Sequence, residues 1–175
     1  VDDTAFTAAN TPVSIPVTVN DVPSVGESFV SVSVTTLPQL GGTVTLTGLL
    51  TFEYTPPVDF VGVDTFIYQA CDSSGRCTSA QVTVYVGPLA RNASASTVAG
   101  TPVVITVTSN DLALVTNPLN PGLESIASAP INGGTAIVNA SNGDITYTPA
   151  VGFTGVDEFT YTVCQDTPIK CSTAT

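Results

Sequence analysis

One stretch of this chain occurs twice. Tyr54 to Cys71 reads YTPPVDFVGVDTFIYQAC, and Tyr147 to Cys164 reads YTPAVGFTGVDEFTYTVC. Each copy runs from a Pro- and Gly-rich turn into an acidic residue, then Phe, Tyr and Cys. Asp64, Phe66 and Tyr68 alternate with Thr65, Ile67 and Gln69; Asp157, Phe159 and Tyr161 alternate with Glu158, Thr160 and Thr162. A period of two puts the aromatic pair on one face of a strand and the mostly polar set on the other. The rest of each copy must then supply strands to cover that face.

The duplication extends well beyond this stretch. Thr11-Pro12-Val13 returns as Thr101-Pro102-Val103, Asn20-Asp21 as Asn110-Asp111, Gly41-Gly42 as Gly133-Gly134, and Phe60 as Phe153. The offset grows slightly along the chain, so the second copy carries small loop insertions. A repeat of about 90 residues is too long for a solenoid unit and suits one β-sandwich per copy. The expected domains are residues 1–87 and 88–175.

Within the first copy the apolar period is two throughout. Asp3 to Ala8 reads as a first strand. Val13, Ile15, Val17 and Val19 alternate with Ser14, Pro16, Thr18 and Asn20, a half-buried second strand. Pro16 cannot donate a ladder hydrogen bond, which predicts an edge or a bulge there. Ser28–Thr36, Gly42–Thr47 and Leu50–Thr55 follow, then a hairpin of Asp64–Cys71 and Thr78–Val86 in which Ala80, Val82, Val84 and Val86 face inward. Seven short strands with turn signals between them predict an all-β Greek-key sandwich. In the second copy Val103, Ile105 and Val107 mirror the second strand, and Gly134–Asn139, Asp144–Thr148 and Asp157–Cys164 the later ones. The Pro- and Asn-rich loop from Leu112 to Gly122 differs from its counterpart, and a repeat-specific contact would lie there. The junction Val86-Gly87-Pro88-Leu89 is short and contains Pro, which predicts restricted bending. TSAQVTVYV follows Cys77, whereas only STAT follows Cys171, so the last strand of the second copy reads as truncated and the parent protein is expected to continue.

The four cysteines fall at equivalent places, and three pairings are possible. The duplication favours Cys71 with Cys77 and Cys164 with Cys171, each closing a hairpin across DSSGR or QDTPIK. Bridges of this kind imply an oxidising, extracellular compartment. A zinc site is the rival reading, but zinc commonly uses His and this chain has none. Fourteen acidic residues stand against Arg76, Arg91 and Lys170, a net charge of −11. That balance excludes nucleic acid and anionic membrane surfaces as partners, since both reward clustered Lys and Arg. No apolar run is long enough to insert this segment in a bilayer.

The pattern TPV-x-I-x-V-x-x-ND, then Gly-Gly, then YTP-x-x-x-F-x-G-x-D-x-F-x-Y resembles the bacterial immunoglobulin-like and cadherin-like tandem repeats of very large surface proteins. It also resembles repeats in some algal surface proteins, including those of mastigonemes. The resemblance covers nearly the whole chain twice. It implies two tandem immunoglobulin-like sandwiches and a stalk, adhesion or matrix role without enzyme activity. The partners it implies are other copies or neighbouring repeats of the same long protein, with glycans or matrix as further candidates.

Two readings stay open for the acidic residues. Asp64 and Asp157, four residues before Tyr68 and Tyr161, fit a strand corner where a carboxylate accepts loop N–H bonds; calcium ligation is the alternative. Asn20-Asp21 and Asn110-Asp111 end the second strand as turn formers. In cadherins, acidic residues at domain junctions bind calcium. Asp2 and Asp3 occupy that place in the first copy, whereas Asn92 and Ala93 replace them in the second, so Asp2, Asp3, Asp21, Asp64, Asp111 and Asp157 are weak calcium candidates. Asp72, in the hairpin loop, is expected at the surface, where its replacement costs little. Asn92-Ala93-Ser94 and Asn139-Ala140-Ser141 are N-glycosylation sequons. A carbohydrate-binding module is the second function class; such modules offer exposed aromatic platforms, and here only Tyr85 faces outward, with no Trp. An enzyme is the third. Without His, paired carboxylates or an activated nucleophile, no acid–base or nucleophilic machinery is evident.

Overall fold

The computed structural model describes residues 1–175, and the chain divides into two units, Val1–Val86 and Gly87–Thr175. The first unit contains seven strands: β1 (Asp3–Thr7), β2 (Val13–Pro16), β3 (Phe29–Thr36), β4 (Thr43–Gly48), β5 (Thr51–Thr55), β6 (Gly62–Asp72) and β7 (Cys77–Val86). One sheet has the order β1-β7-β6-β3 and the other β2-β5-β4. β1 pairs parallel with β7, and every other pair is antiparallel. The inward rows of the two sheets meet in a core built on Ile15, Val17, Phe52, Tyr54, Phe66, Tyr68, Val82, Val84 and Val86, all buried. Phe52 packs edge-on against Phe66 and Tyr68. Each of the three fully buried valines of β7 contributes about 1.5–3 kcal/mol through area removed from water.

β2 carries Pro16 at the edge of its sheet, paired only with β5. It is shorter than its alternation predicts. The chain turns after Val17, with Asp21 N–H donating to the Thr18 carbonyl, and Val19 is 81% exposed rather than half-buried. The turn chemistry of Asn20-Asp21 therefore overrides the apolar period.

The second unit repeats the plan with less strand. Its elements are β8 (Val103–Ile105), β9 (Ser125–Ser128), β10 (Thr135–Val138), β11 (Ile145–Thr148), β12 (Thr160–Asp166) and β13 (Ile169–Ala174), with short 3-10 turns at Val107–Ser109 and Pro121–Leu123. They form two sheets, β10-β11-β8 and β13-β12-β9. Val107, Ile145, Tyr161 and Val163 form the centre of its core. The alternation from Asp157 predicts a strand that starts there, but β12 begins at Thr160. Residues 155–159 lack the neighbouring strand that Val82–Val86 provide to β6 in the first unit. The variable 112–122 loop is pinned rather than loose: Leu112 bridges Leu89, Asn120 N–H donates to the Cys164 carbonyl, and the buried Gln165 side chain donates to the Asn117 carbonyl.

Candidate functional site

The sequence singles out the acidic corner of each repeat, and the structure assembles it from three elements. In the first unit the Gly41-Gly42 turn brings the loop before β4 onto the start of β6. Asp64 is buried there, and its Oδ1 accepts from the N–H groups of Gln39 (3.0 Å), Leu40 (3.1 Å) and Thr65 (2.9 Å). Its Oδ2 accepts from Gly42 N–H at 3.3 Å and from the Tyr54 hydroxyl at 3.0 Å. The paired glycines have separate reasons. Gly41 takes a left-handed backbone (φ +91°), and a Cβ on Gly42 would lie 2.3 Å from the Tyr54 ring. Burial, reinforced by the Asp64 carboxylate, pushes the Tyr54 hydroxyl pKa well up, so it remains a donor.

The second unit repeats this corner in a more open form. Asp157 is half-buried and accepts from Asn132 N–H (2.9 Å), Glu158 N–H (3.0 Å) and the Tyr147 hydroxyl (2.8 Å). Partial burial opposes its ionisation, but these hydrogen bonds outweigh it and hold the carboxyl below the usual range. Gly134 again clears the tyrosine: a Cβ there would meet Tyr147 at 2.7 Å.

A second tyrosine–aspartate pair closes the other end of each core. The Tyr68 hydroxyl donates to the Val17 carbonyl (2.6 Å) and Asp21 Oδ2 (3.0 Å), and Asp21 also pairs with the Val1 amino group. The Tyr161 hydroxyl donates to the Arg91 carbonyl (2.6 Å) and reaches Asp111, which accepts Arg91 N–H at 2.7 Å. Asn20 and Asn110 tie the same ends together by donating to the carbonyls of Asp2 and Asn92. Asp2 itself accepts Gln81 N–H. Asp3 sits half-buried beside Asp21, and burial raises its pKa, as it does that of Asp111. No group of three or more His, Cys, Asp or Glu side chains is placed to hold a metal ion.

The hairpin bridges are Cys71–Cys77 and Cys164–Cys171. Asp72 corrects the surface expectation for this loop. It is only 5% exposed, and it accepts from the Ser24 hydroxyl (2.6 Å), the Ser74 hydroxyl and N–H (2.6 and 3.0 Å) and Arg76 N–H (3.0 Å). The Ser24 and Ser74 bonds hold its carboxyl well below the usual range. The spacing of Asp72, Ser74 and Arg76 is an Asx-turn signal, legible in DSSGR; the Ser24 partner is not. A further acidic residue, Glu124, lies outside every repeated motif of the sequence. Both its oxygens are buried without a hydrogen-bond partner, and burial, with Asp111 and Asp144 nearby, pushes its pKa up to about 7.

Both sequon asparagines are exposed. Asn139 Oδ1 accepts Ser141 N–H at 3.0 Å in a compact turn, whereas Asn92 Oδ1 accepts Thr175 N–H at 3.0 Å. Tyr85 lies on the outer sheet face, half-buried and stacked on Phe6 with centroids 5.1 Å apart. Each ring thus covers a face of the other.

Comparison with known proteins settles the family. The model of the bacterial Ig domain matches residues 1–85 and again 86–175. The chain belongs to the bacterial Ig domain family. Among solved structures it is similar to murine CEACAM1b (13% identity, TM-score 0.35, covering 99% of this chain and 96% of that one). It is also similar to human CDH23 EC21-23 (15%, TM-score 0.36, 99% and 60%) and to the endo-fucoidan hydrolase MfFcnA9 of glycoside hydrolase family 107 (15%, TM-score 0.31, 99% and 32%). The chain spans less than two thirds of the length of the last two. No curated protein sequence matches it. In both bacterial Ig domains the duplicated aspartates, Asp21 and Asp64, then Asp111 and Asp157, accept from their own domain's donors.

Proposed function

We propose that these two bacterial Ig domains are structural spacer repeats of a long extracellular surface protein, a stalk, filament or adhesin, which mediate assembly or adhesion rather than catalysis. The observation that supports this most is the use of the acidic side chains. Asp21, Asp64, Asp72, Asp111 and Asp157 each accept hydrogen bonds from their own domain, so chemistry that would mark a site in another setting closes corners and turns here. The bridged hairpins suit an oxidising compartment. The partners of this reading are other copies or neighbouring repeats of the same protein. Tyr85 is half-buried with one ring face stacked on Phe6, which reduces the aromatic area open to a sugar ring.

Single-molecule pulling on a polyprotein that contains this chain tests the proposal. Two unfolding events are expected, each lengthening the chain by roughly 25–30 nm at about 3.6 Å per residue outside the bridged loop. Specific glycan binding on an array, above all binding that Tyr85→Ala abolishes, or turnover of a glycan or peptide substrate by the purified chain, overturns it.

A further inference from the structure

Glu124 stands where the first domain has core. Ile126 lies opposite Tyr161 as Val34 lies opposite Tyr68, so two residues back Glu124 matches Val32. Val32 is buried. Glu124 is extended just before β9, and a period of two turns its side chain the same way as Ile126, which packs on the core of the second domain. A second position has changed with it. Ile145 matches Phe52, since each lies opposite the isoleucine of the second strand, Ile105 or Ile15. Two residues back, Gly143 therefore matches the half-buried Leu50. A valine and a leucine in one domain are a glutamate and a glycine in the other.

The two replacements fit each other. Gly143 is buried and left-handed (φ +78°), and a Cβ there would lie 2.8 Å from Glu124 Cδ. The carboxyl thus occupies the space that a side chain at position 143 would need. Gly143 belongs to a tight turn. Asn139 N–H donates to the Asp144 carbonyl (2.8 Å), Gly143 N–H to the Asn139 carbonyl (2.8 Å), and Asn142 Nδ2 to Asp144 Oδ2 (2.6 Å). Neither buried oxygen of Glu124 has a hydrogen-bond partner. The titratable groups that face it are Asp144 from this turn, Asp111 from the turn after Val107–Ser109, and Tyr161 from β12; the one cation in this neighbourhood, Arg91, acts on Asp111 instead. An unpaired buried charge costs far more than a neutral carboxyl in the same place, and the two neighbouring carboxylates oppose it further.

We propose that Glu124 is a proton-operated latch on the Asn139–Asp144 turn. With its proton on, the carboxyl lies against Gly143 and the turn is closed. When the proton leaves, the carboxylate swings out to water past Gly143, which has no side chain to block it, and the turn opens. The raised pKa of about 7 places this change near neutrality. The first domain, with Val32 and Leu50 at these positions, has no such response there.

The test is amide hydrogen exchange on the 175-residue chain, corrected for intrinsic rates, together with a carboxyl carbon NMR titration. With a closed value of about 7 and an open value of 4.5, protection at Asn139, Asn142 and Gly143 is expected to fall on the order of 50-fold between about pH 5 and about pH 8. At both pH values these amides should exchange faster than those of β12, as a separate and smaller opening. Glu124→Gln, and Glu124→Val with the first domain's residue, should make turn protection independent of pH. Equal protection at the turn and β12 overturns the latch, because Glu124 then weakens the whole domain without a local opening. A flat profile in the unmodified chain also overturns it, as does a pH response that survives in Glu124→Gln, which would assign the proton to Asp111 or Asp144.

Discussion

Replacing Asp64 by alanine probes the corner that both repeats share. The carboxylate accepts five hydrogen bonds, but the five donors are not equivalent. Gln39 and Leu40 are exposed, so water can take over their N–H groups. Tyr54 is fully buried, and its hydroxyl has no other partner. Orphaning one buried donor costs about 1–3 kcal/mol, and the partly buried N–H groups of Gly42 and Thr65 add to it, so Asp64→Ala should destabilise the first domain by about 3 kcal/mol. Tyr54→Phe alone should cost about 1 kcal/mol, and in the Asp64→Ala background almost nothing, a coupling of about 1 kcal/mol. Asp157→Ala, at the more open corner, should cost about 1 kcal/mol. Hydrogen exchange at β5 and β6 amides reads the first domain separately from the second. An Asp64→Ala effect under about 0.5 kcal/mol, or full additivity with Tyr54→Phe, refutes the reasoning. A stabilisation by calcium that only Asp64→Ala abolishes would assign the carboxylate to a metal instead.

Asp72→Ala should speed exchange at Ser74 and Arg76 at least about tenfold. Because the folded pKa of Asp72 is depressed, its stabilisation is present above the usual carboxylate range and is lost as pH falls through the folded value; the variant should lack that acid-side loss. Glu124 has the opposite sign. Its folded pKa is raised to about 7, so the second domain should lose stability as pH climbs from the unfolded carboxylate value towards 7, and Glu124→Gln should raise its melting midpoint at pH 8 and flatten the pH profile. Non-reducing peptide mapping should recover Cys71–Cys77 and Cys164–Cys171 with no free thiol, and removing one bridge should cost about 2 kcal/mol for so short a loop. Expressed through a eukaryotic secretory pathway, the chain should carry a glycan at the exposed turn residue Asn139, which intact-mass measurement on Asn139→Gln would detect as a loss.

Local chemistry was enough to read much of this protein from its sequence. The period-two rows of Phe66 and Tyr68, the Gly-Gly turns and the Asx turns depend on neighbours in the chain, so they determined the strands, the two sandwiches and the corner role open to Asp64. Alternation failed where a partner from elsewhere decides the outcome. Val19 reads as core and is exposed because Asn20-Asp21 turns the chain first. Asp72 reads as surface and is buried because Ser24, distant in sequence, closes over it. Glu124 shows no local sign of its burial. The stretch from Asp157 to Phe159 has the same alternation as Asp64 to Phe66, yet only the latter is strand, because a strand is defined by the ladder beside it and Val82–Val86 supply that ladder in one domain alone.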